Sequence, residues 1–483
     1  MHQGSFIDGR WDTGGSERLE VISPIDGACV FTTSFDPTHA DQAITAARRA
    51  APAWAALTRS QRADALRSVQ RELATREGRI AEAIAREVGK PLWEARTEAK
   101  GLAPRIDLTC GMISDDVADW NLPEQRGCGR YLPLGVVAVL GPFNFPAHLA
   151  NGQILPALLL GNTVILKPSE RAAGVAALYT EAMAAAGLPN GVFNLVQGDS
   201  RSGATLTEDP RVDGLLFTGS TRVGKMILAA THQQPNKLVS LEMGGKNAAF
   251  VHHDANLVNS AKEILNAAFI TCGQRCTATS QAFVHASRIE ELAHLLKGAV
   301  PKLPIGDPFS QSTFMGPIID QSAKSRLLGL NQVAFEAGVD TLHEGRGLGE
   351  IGSYLTPSLR IGEWKDHRYF SQEHFGPDLV IIPVESDQEG IDRINSLDYG
   401  LAAAVFCKDQ ERFDDLASRL RCGVVNWNRG TAGATGHLPF GGWRDSGNHR
   451  PGALFAGRLV SAVQARLHDG GSVSGFVEEA MNP

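Results

Sequence analysis

The sequence contains little cysteine, and its cysteines are not spaced as metal or redox pairs. Seven cysteines are scattered through 483 residues, and no two of them form a Cys-x-x-Cys pair. Zinc ribbons and thioredoxin-type redox motifs are therefore excluded. Cys272 and Cys276 lie close in sequence, but two thiols without nearby partner residues make a poor metal site. We expect no metal centre, and we expect a cytoplasmic protein with reduced thiols.

Long apolar runs and an excess of basic residues are also missing. No apolar stretch approaches the roughly 18 residues that indicate a membrane-spanning helix, and the first residues lack the basic and apolar regions of a secretory signal. The net charge is −7, from 46 basic and 53 acidic residues. Such a chain offers no general basic field to nucleic acid or to an anionic membrane. The composition is typical of a cytosolic α/β enzyme or binding protein and indicates nothing more specific.

Short, continuous apolar segments recur after residue 135 and alternate with helical segments. Strands are predicted at 136–140, 163–166, 192–196, 214–217 and 238–241, and in a second series at 248–251, 281–284, 379–384 and 402–406. Continuous apolar strands that alternate with helices indicate parallel sheets covered on both faces. We predict an α/β fold with two doubly wound α/β domains, in which ligands bind beyond the carboxyl ends of the strands.

The amino-terminal part follows another pattern. The first 35 residues contain short extended pieces separated by turns. A helical pattern begins at Asp36-Pro37 and continues with breaks to about Val88, and a second helical stretch is predicted from about 92 to 112. Segment 430–447 is rich in glycine, threonine and alanine and is predicted to be a loop.

Two segments match phosphate-binding patterns in an unsuitable context. Segment 347–352 satisfies G-x-G-x-x-G, but it follows no apolar strand. Segment 219–225 nearly matches a P-loop, but Met226 has no hydroxyl group to offer to Mg²⁺. Gly219 lies in a turn between a strand and a helix. This turn is either an anion site suited to a pyrophosphate or a tight structural turn, and both interpretations remain open.

Several polar residues stand where active sites of α/β proteins form. Cys276, beside an arginine, is either an activated nucleophile or an inert buried thiol. Glu242 ends a strand before two glycines, and it is either a general base or a capping carboxylate. Asn144 follows a strand, where it either donates to an oxyanion or stabilises a turn. Lys167 and Glu170 end the next strand and either hold a ribose or form a solvated pair.

Seven ordered motifs resemble those of the aldehyde dehydrogenase superfamily over nearly the whole chain. They are Pro142-Phe-Asn-Phe-Pro146, Lys167-Pro-Ser-Glu170, Phe217-Thr-Gly-Ser-Thr221, Leu241-Glu-Met-Gly-Gly-Lys246, Gly273-Gln-Arg-Cys276, Glu373-His-Phe-Gly-Pro377 and Pro439-Phe-Gly-Gly442. The resemblance implies that Cys276 is the nucleophile and that Glu242 activates water. It also implies an oxyanion hole formed by Asn144 and the backbone N–H of Cys276.

The resemblance implies NAD as the cofactor. The residues it assigns to cofactor binding are Lys167, Glu170, Gly219, Ser220, Gly224, Glu373 and Phe375. Lys167 and Glu170 would hold the adenosine ribose, Gly219 and Ser220 would face the pyrophosphate, and Glu373 and Phe375 would position the nicotinamide side. A carboxylate at 170 accepts a hydrogen bond from a ribose 2′-hydroxyl and repels a 2′-phosphate, which predicts NAD over NADP.

Within the superfamily, the segments around 145–152, 425–428 and 446–451 are similar to members that oxidise N-succinylglutamate 5-semialdehyde in arginine catabolism. A substrate with several carboxylates needs polar tunnel walls. The candidates by position are His148, Asn151, Arg275, Asn428 and His437. The alternatives are another acidic or amino semialdehyde, a CoA-acylating aldehyde dehydrogenase, and a non-enzymatic protein that kept the fold. Glu242 argues against release of the product to CoA, because hydrolysis needs a base.

The resemblance also implies a division into domains. An NAD-binding domain would comprise 1–120 and 138–242, and a catalytic domain 243–450. A small β oligomerisation arm and a C-terminal segment would comprise 121–137 and 451–483, with arm strands at 127–133 and 458–463. Such an arm extends a neighbour's sheet, so we expect a homodimer or a homotetramer.

Overall fold

This computed structural model describes residues 4–468 and 475–481. The strands are β1 (Ser5–Ile7), β2 (Arg10–Asp12), β3 (Glu17–Ile22), β4 (Cys29–Phe35), β5 (Trp120–Leu122), β6 (Gly127–Pro133), β7 (Val136–Leu140), β8 (Thr163–Lys167), β9 (Phe193–Leu195), β10 (Gly214–Thr218), β11 (Leu238–Glu242), β12 (Asn247–Val251), β13 (Thr279–His285), β14 (Asp340–His343), β15 (Ser358–Ile361), β16 (Asp378–Val384), β17 (Tyr399–Gly400), β18 (Ala402–Phe406), β19 (Val424–Trp427), β20 (Pro439–Phe440), β21 (Trp443–Arg444), β22 (Gly452–Ala453) and β23 (Ser461–Leu467).

The helices are α1 (His39–Ala56), α2 (Arg59–Val88), α3 (Leu92–Lys100), α4 (Arg105–Leu108), α5 (Ser114–Asp116), α6 (His148–Leu159), α7 (Ala173–Ala185), α8 (Ser200–Glu208), α9 (Thr221–Thr231), α10 (Leu257–Phe269), α11 (Ile289–Ala299), α12 (Gln321–Glu336), α13 (Arg368–Ser371), α14 (Asp387–Ser396), α15 (Gln410–Arg419) and α16 (Gly475–Met481). The first predicted helical stretch divides into α1 and α2, where Thr58 caps the second helix, and it ends at Gly89, whose φ is 80°. The second stretch was predicted as one helix but is interrupted between α3 and α4, just before which Pro104 stands.

The first large sheet has the strand order β11-β10-β7-β8-β9-β1-β2. Strands β7 to β11 are parallel, and the amino-terminal strands β1 and β2 add an antiparallel edge. Strand β7 is buried along its whole length. Val137 and Val139 pack into one apolar cluster, whereas Val136 and Ala138 pack into another on the opposite face. Covering on both faces explains why these strands read as continuous apolar runs.

The second large sheet has the order β14-β15-β16-β13-β12-β18-β19, and β14 is its only antiparallel strand within the described residues. Here too, alternate residues of one strand enter different clusters: Ala249 and Val251 face one side, and Ala248 and Phe250 face the other. The predicted α/β fold with two doubly wound sheets is confirmed.

A third, antiparallel sheet has the order β23-β6-β5. Strand β6 matches the predicted arm strand 127–133. The second arm strand was predicted at 458–463 but begins at Ser461, because 454–460 forms a 3₁₀ helix. Of the predicted C-terminal segment 451–483, residues 469–474, 482 and 483 lie outside the described residues, as do residues 1–3 of the predicted NAD-binding domain.

In the described part of the chain, no helix is both long enough and apolar enough to span a membrane. All seven cysteines are free thiols. Within the same residues, no group of three or more histidine, cysteine, aspartate or glutamate side chains is arranged to hold a metal ion.

Candidate active site

The carboxyl edge of the first sheet brings four predicted site residues together. Strands β11, β10, β7 and β8 are adjacent and parallel, with Thr218 beside Glu242 and Leu140 beside Lys167 in the register. Asn144 and Gly219 follow β7 and β10 directly. Parallel strands all end at one edge, so these groups line the place where α/β proteins bind ligands.

The loop before Cys276 has an unusual backbone. Thr271, Cys272 and Gly273 have φ values of 56°, 55° and 67°. Two of the three are not glycine, and such left-handed residues cost free energy that the surrounding structure must supply. At Gly273 a Cβ atom would lie 2.4 Å from the carbonyl of Gly376, so only glycine fits there. The loop is therefore held in one conformation by its surroundings.

Two side chains hold the backbone around Cys276. Asn247, at the start of β12, donates from Nδ2 to the carbonyl oxygens of Cys276 (2.7 Å) and Ala278 (3.0 Å). Asn144, which is buried, donates from Nδ2 to the carbonyl oxygen of Gln274 at 2.9 Å. An amide nitrogen carries two N–H groups, so Asn144 keeps one more donor beside the nucleophile loop.

The thiol of Cys276 lies near two carboxylates. Burial raises the pKa of Cys276 to about 12, Glu373 and Glu242 raise it as well, and the neighbouring Arg275 acts in the opposite direction. At neutral pH this thiol is protonated. A nucleophilic role therefore requires a group that takes the proton when substrate and cofactor are present.

Both carboxylate oxygens of Glu242 are buried, and within the described residues neither has a hydrogen-bond partner at normal distance. Burial raises the pKa of Glu242 well above its usual range, and the nearby backbone amides of Gly442 and Gly452 offset only part of this effect. A Cβ atom on Gly441 would lie 3.0 Å from Oε1, so glycines make room for the carboxylate. A buried carboxylate with a raised pKa at the carboxyl ends of parallel strands is typical of a catalytic acid or base.

Glu373 lies on the glycine pair that follows Glu242. Its Oε1 accepts a hydrogen bond of 2.9 Å from the N–H of Gly245, and a Cβ atom on Gly244 would lie only 2.0 Å from Oε2. Burial raises the pKa of Glu373 to about 7. Two residues on, Phe375 adopts a φ of 48° and packs edge-on against Phe143, with ring centroids 5.9 Å apart.

The residues predicted to hold a dinucleotide lie along the same edge. The N–H of Gly219 donates to the carbonyl oxygen of Glu242 at 3.0 Å, and exposed Ser220 caps helix α9 by accepting from the N–H of Val223 at 3.4 Å. Buried Lys167 donates to the carbonyl oxygen of Pro168 at 2.8 Å. Burial lowers the pKa of Lys167, although nearby Glu170, which is exposed, raises it.

These residues fit a dinucleotide. The amino-terminal end of α9, an eleven-residue helix, could hold the pyrophosphate, because helix amino termini attract anions. The exposed carboxylate of Glu170, which follows β8 two strands away in the same sheet, can accept hydrogen bonds from ribose hydroxyls. Gly224 differs from the others, because it packs against Met243. A Cβ atom there would lie 2.3 Å from the Met243 sulfur, so close packing of helix and sheet accounts for this glycine.

Two of the five predicted substrate residues lie around the ring of Phe145. The guanidinium of Arg275 lies over this ring, 5.0 Å from its centroid. It also donates hydrogen bonds to the carboxylate of Glu94 at 3.0 Å and to the hydroxyl of Thr271 at 2.7 Å. His148 meets the same ring edge-on at 6.4 Å. Burial lowers the pKa of His148, which favours its neutral imidazole, although nearby Glu98 acts in the opposite direction.

The other three predicted substrate residues are not brought together. Asn151 is fully buried, donates to the carbonyl oxygen of Leu102 at 3.1 Å and accepts from the hydroxyl of Tyr179 at 2.9 Å. Asn428 exchanges hydrogen bonds of 2.9 and 3.2 Å with the backbone of Cys407. Both amides hold the protein together rather than face a ligand. His437 is exposed on the loop 430–438, and its hydrogen bonds within the described part of the chain are with Thr435.

Sequence analysis missed Gln274 and Asn247. Gln274 lies inside a motif that was recognised, but its backbone carbonyl makes the contact with Asn144, and no sequence pattern reveals that. Asn247 directly follows the glycine motif of β11, which is a signal that could have been used.

The comparisons with known proteins all match this chain to aldehyde dehydrogenases. A family model described as "Aldehyde dehydrogenase family" matches residues 11–461. Two curated relatives, from Paraburkholderia xenovorans and Chromohalobacter salexigens, are both named N-succinylglutamate 5-semialdehyde dehydrogenase. The first is 35% identical and covers 97% of this chain and 98% of its own. The second is 37% identical and covers 93% of each.

Solved structures give the same fold. Aldehyde dehydrogenase C from Pseudomonas syringae, crystallised with NAD⁺ and octanal, superposes with a TM-score of 0.92 at 28% identity and covers 96% of each chain. Betaine aldehyde dehydrogenase from Staphylococcus aureus gives a TM-score of 0.93 at 26% identity, over 99% of this chain and 97% of its own. A third, described as an NADP dependent enzyme from E. coli, gives 0.92 at 29% identity, over 96% of this chain and 98% of its own.

Proposed function

Because the chain belongs to the aldehyde dehydrogenase family, we propose that it oxidises N-succinyl-L-glutamate 5-semialdehyde to N-succinyl-L-glutamate with NAD. The observation that carries the chemistry is the hydrogen bond that holds the Asn144 amide beside the Cys276 loop. The names of relatives that are 35–37% identical over nearly the whole chain support the substrate. Oxidation of another acidic or amino semialdehyde is the alternative.

In the first step the Cys276 thiol gives its proton to solvent water, and the resulting thiolate adds to the aldehyde carbon to form a thiohemiacetal. The oxygen of the aldehyde gains negative charge in this step. The free N–H of Asn144 and the backbone N–H of Cys276 are the donors for this oxyanion, and preorganised donors of this kind lower barriers substantially. The left-handed turn before Cys276 fixes the direction in which its backbone N–H points.

NAD would supply the hydride acceptor that turns the thiohemiacetal on Cys276 into a thioester, and Lys167, Glu170, Gly219 and Ser220 would hold its adenosine and pyrophosphate side. This chain's part is to place the nicotinamide side, for which Glu373 on its glycine pair and Phe375 against Phe143 are the proposed residues. Solved relatives include proteins described with NAD⁺ and with NADP, so the fold alone leaves the choice open. The exposed carboxylate of Glu170 favours NAD, because it repels a 2′-phosphate.

The last step is hydrolysis of the thioester on Cys276. Glu242 is proposed to deprotonate the attacking water, since a buried carboxylate with a raised pKa is a strong base once it is ionised. A CoA-acylating enzyme would need no such base. We therefore propose release of a free acid rather than of an acyl-CoA.

We also propose that the units around the two large sheets divide the work, with NAD on the first and Cys276 on the second. Strand β23 forms an edge of the third sheet, and its Val463 and Leu467 are exposed. An exposed edge strand with apolar side chains is suited to pairing with another chain, so we propose that this arm joins subunits into a homodimer or homotetramer. Seven free thiols favour a cytoplasmic location.

The test is the formation of NADH without CoA across a panel of aldehydes. The panel contains N-succinylglutamate, succinate and glutamate semialdehydes and one aliphatic aldehyde, with Cys276→Ala as the inactive control. The proposal requires the highest kcat/KM for the succinylated substrate. A higher kcat/KM for the aliphatic aldehyde would contradict the substrate assignment and leave the chemistry intact, whereas turnover only with added CoA would contradict the hydrolytic step.

A further inference from the structure

Arg105 is a buried cation without a carboxylate partner. Only 9% of its surface is exposed, and within the described residues its guanidinium makes one hydrogen bond, from Nη2 to the carbonyl oxygen of Ala453 at 3.2 Å. Its Nε is buried and unpaired. Burial lowers the pKa of Arg105, and no acidic side chain is among the groups that shift it. A buried charge without a partner is costly, which calls for an explanation.

Two glycines lie against this guanidinium. A Cβ atom on Gly436 would lie 2.2 Å from Nη1, and a Cβ atom on Gly152 would lie 3.8 Å from Nη2. A side chain longer than a methyl group at 152 would occupy the space in front of the guanidinium. Glycine inside a helix is unfavourable relative to alanine, so a glycine at 152 in α6 has a cost that the fold accepts.

The position of Arg105 relative to Cys276 follows from a chain of contacts. Phe145 packs under Arg275, next to the nucleophile, and His148 meets the ring of Phe145. Gly152 lies four residues after His148 on the same face of α6, about 6 Å further along the helix axis. Arg105 is near enough to His148 to lower the pKa of that imidazole, and Gly436 of the loop 430–438 lies against its guanidinium.

We propose that Arg105 binds a carboxylate of the substrate. This inference rests on the proposed function, which supplies a substrate with two carboxylates: one on the carbon three bonds from the aldehyde carbon, and one at the far end of the succinyl group. The planar guanidinium has free N–H groups that match a carboxylate with two parallel hydrogen bonds. Arg275, the cation beside the nucleophile, is already paired with Glu94 and so does not compete for this role.

The alternative is a purely structural role, in which Arg105 only ties α4 to Ala453. The two roles differ in which substrates a substitution affects. We would measure kcat/KM of Arg105→Met and Arg105→Lys with N-succinylglutamate semialdehyde, with its two monomethyl esters and with butanal. Arg67→Met is the matched control, because Arg67 is exposed and pairs with Asp107 near the same helix.

Arg105→Met is expected to lower kcat/KM for the dicarboxylate by about 10- to 150-fold, the value of a charge-assisted hydrogen bond, mainly through KM. Butanal and the ester of the recognised carboxylate should lose less than about threefold. The other ester should be affected like the dicarboxylate, which identifies the carboxylate that is bound. Arg105→Lys should recover part of the loss, and Arg67→Met should change nothing.

Equal losses with all substrates would overturn the inference and assign Arg105 a structural role. Each comparison is made within one enzyme preparation, so partial misfolding cancels. The proposed function fails separately. If the wild-type protein preferred another acidic aldehyde, the same variant with that acid and its ester would still test Arg105.

Discussion

Asn144 and Gln274 are joined by a hydrogen bond of 2.9 Å from the amide nitrogen of the first to the carbonyl oxygen of the second. The two residues lie 130 positions apart in the sequence. Asn144 follows β7 of the first sheet, and Gln274 follows α10, which packs on the second sheet. This one bond therefore sets the proposed oxyanion donor against the nucleophile across the junction of the two units.

Replacement of Asn144 should reduce the rate of chemistry. Asn144→Ala removes one oxyanion donor and the bond to the Cys276 loop, and we expect kcat to fall by about 10²- to 10³-fold. Asn144→Asp keeps the size of the side chain but loses both N–H donors, so it should be similarly impaired. Steady-state NADH formation is the measurement. A loss of only a few-fold in both variants would remove Asn144 from the oxyanion hole.

Binding of NAD should depend on pH through Glu373. The pKa of Glu373 is raised to about 7 by burial, so the carboxyl group loses its charge as the pH falls below 7. An ionised carboxylate is the better acceptor for ribose hydroxyls, so the Kd for NAD should rise between pH 8 and pH 6. Glu373→Gln should bind more weakly at pH 8 and show a flat profile. Calorimetric titration at each pH measures this, and an unchanged profile in the variant would rule Glu373 out as its source.

Glu170 should determine the preference between the two nicotinamide cofactors. Its exposed carboxylate disfavours the 2′-phosphate of NADP, so Glu170→Ala should raise kcat/KM for NADP relative to NAD by several-fold. The comparison needs only initial rates with both cofactors at a saturating aldehyde concentration. Lys167→Met serves as a contrast, because it should weaken binding of both. A wild-type protein that already prefers NADP would refute this role for Glu170.

Much of the fold could be predicted because its strands are buried on both faces. Strand β7 matches the predicted segment 136–140, because a short run of apolar residues in an α/β protein is stable in a strand that is buried on both faces. The interruption between α3 and α4 was missed because helical periodicity continues through it. The start of β23 was placed too early because the 3₁₀ helix before it is also rich in apolar residues and resembles the beginning of the strand.

A site residue could be predicted where its own motif indicates its role. It could not be predicted where its role depends on contacts with residues that are distant in the sequence. Cys276 and Glu242 stand in recognisable surroundings. The role of Asn151 depends on Tyr179, 28 residues away, whose hydroxyl occupies its carbonyl oxygen. Arg105 is notable only because the glycines and backbone around it, which come from distant parts of the chain, leave it unpaired.

Asn151 should therefore affect stability rather than specificity. Asn151→Ala leaves the hydroxyl of Tyr179 and the carbonyl of Leu102 without their partners in the core. The loss should be about 1–3 kcal/mol in the free energy of unfolding, the usual cost of unpaired buried polar groups. Thermal melting should show a lower midpoint, with KM for the aldehyde unchanged. Tyr179→Phe tests the same bond from the other side, and a changed KM with an unchanged melting midpoint would return Asn151 to the substrate site.

The central claim is that oxidation passes through a thioester on Cys276 that Glu242 helps to hydrolyse. Glu242→Gln keeps the size of the side chain but removes the base. We expect this variant to form NADH once per active site in a rapid burst and then to turn over at least about 10²-fold more slowly than the wild type. The acyl group should remain on the protein.

Mass spectrometry of Glu242→Gln, quenched in acid after mixing with NAD and N-succinylglutamate semialdehyde, tests the claim most directly. The account predicts a mass increase of one N-succinylglutamyl group, located on the peptide that contains Cys276 and absent from Cys276→Ala. No adduct despite a full burst of NADH, or an adduct on another residue, would contradict the account.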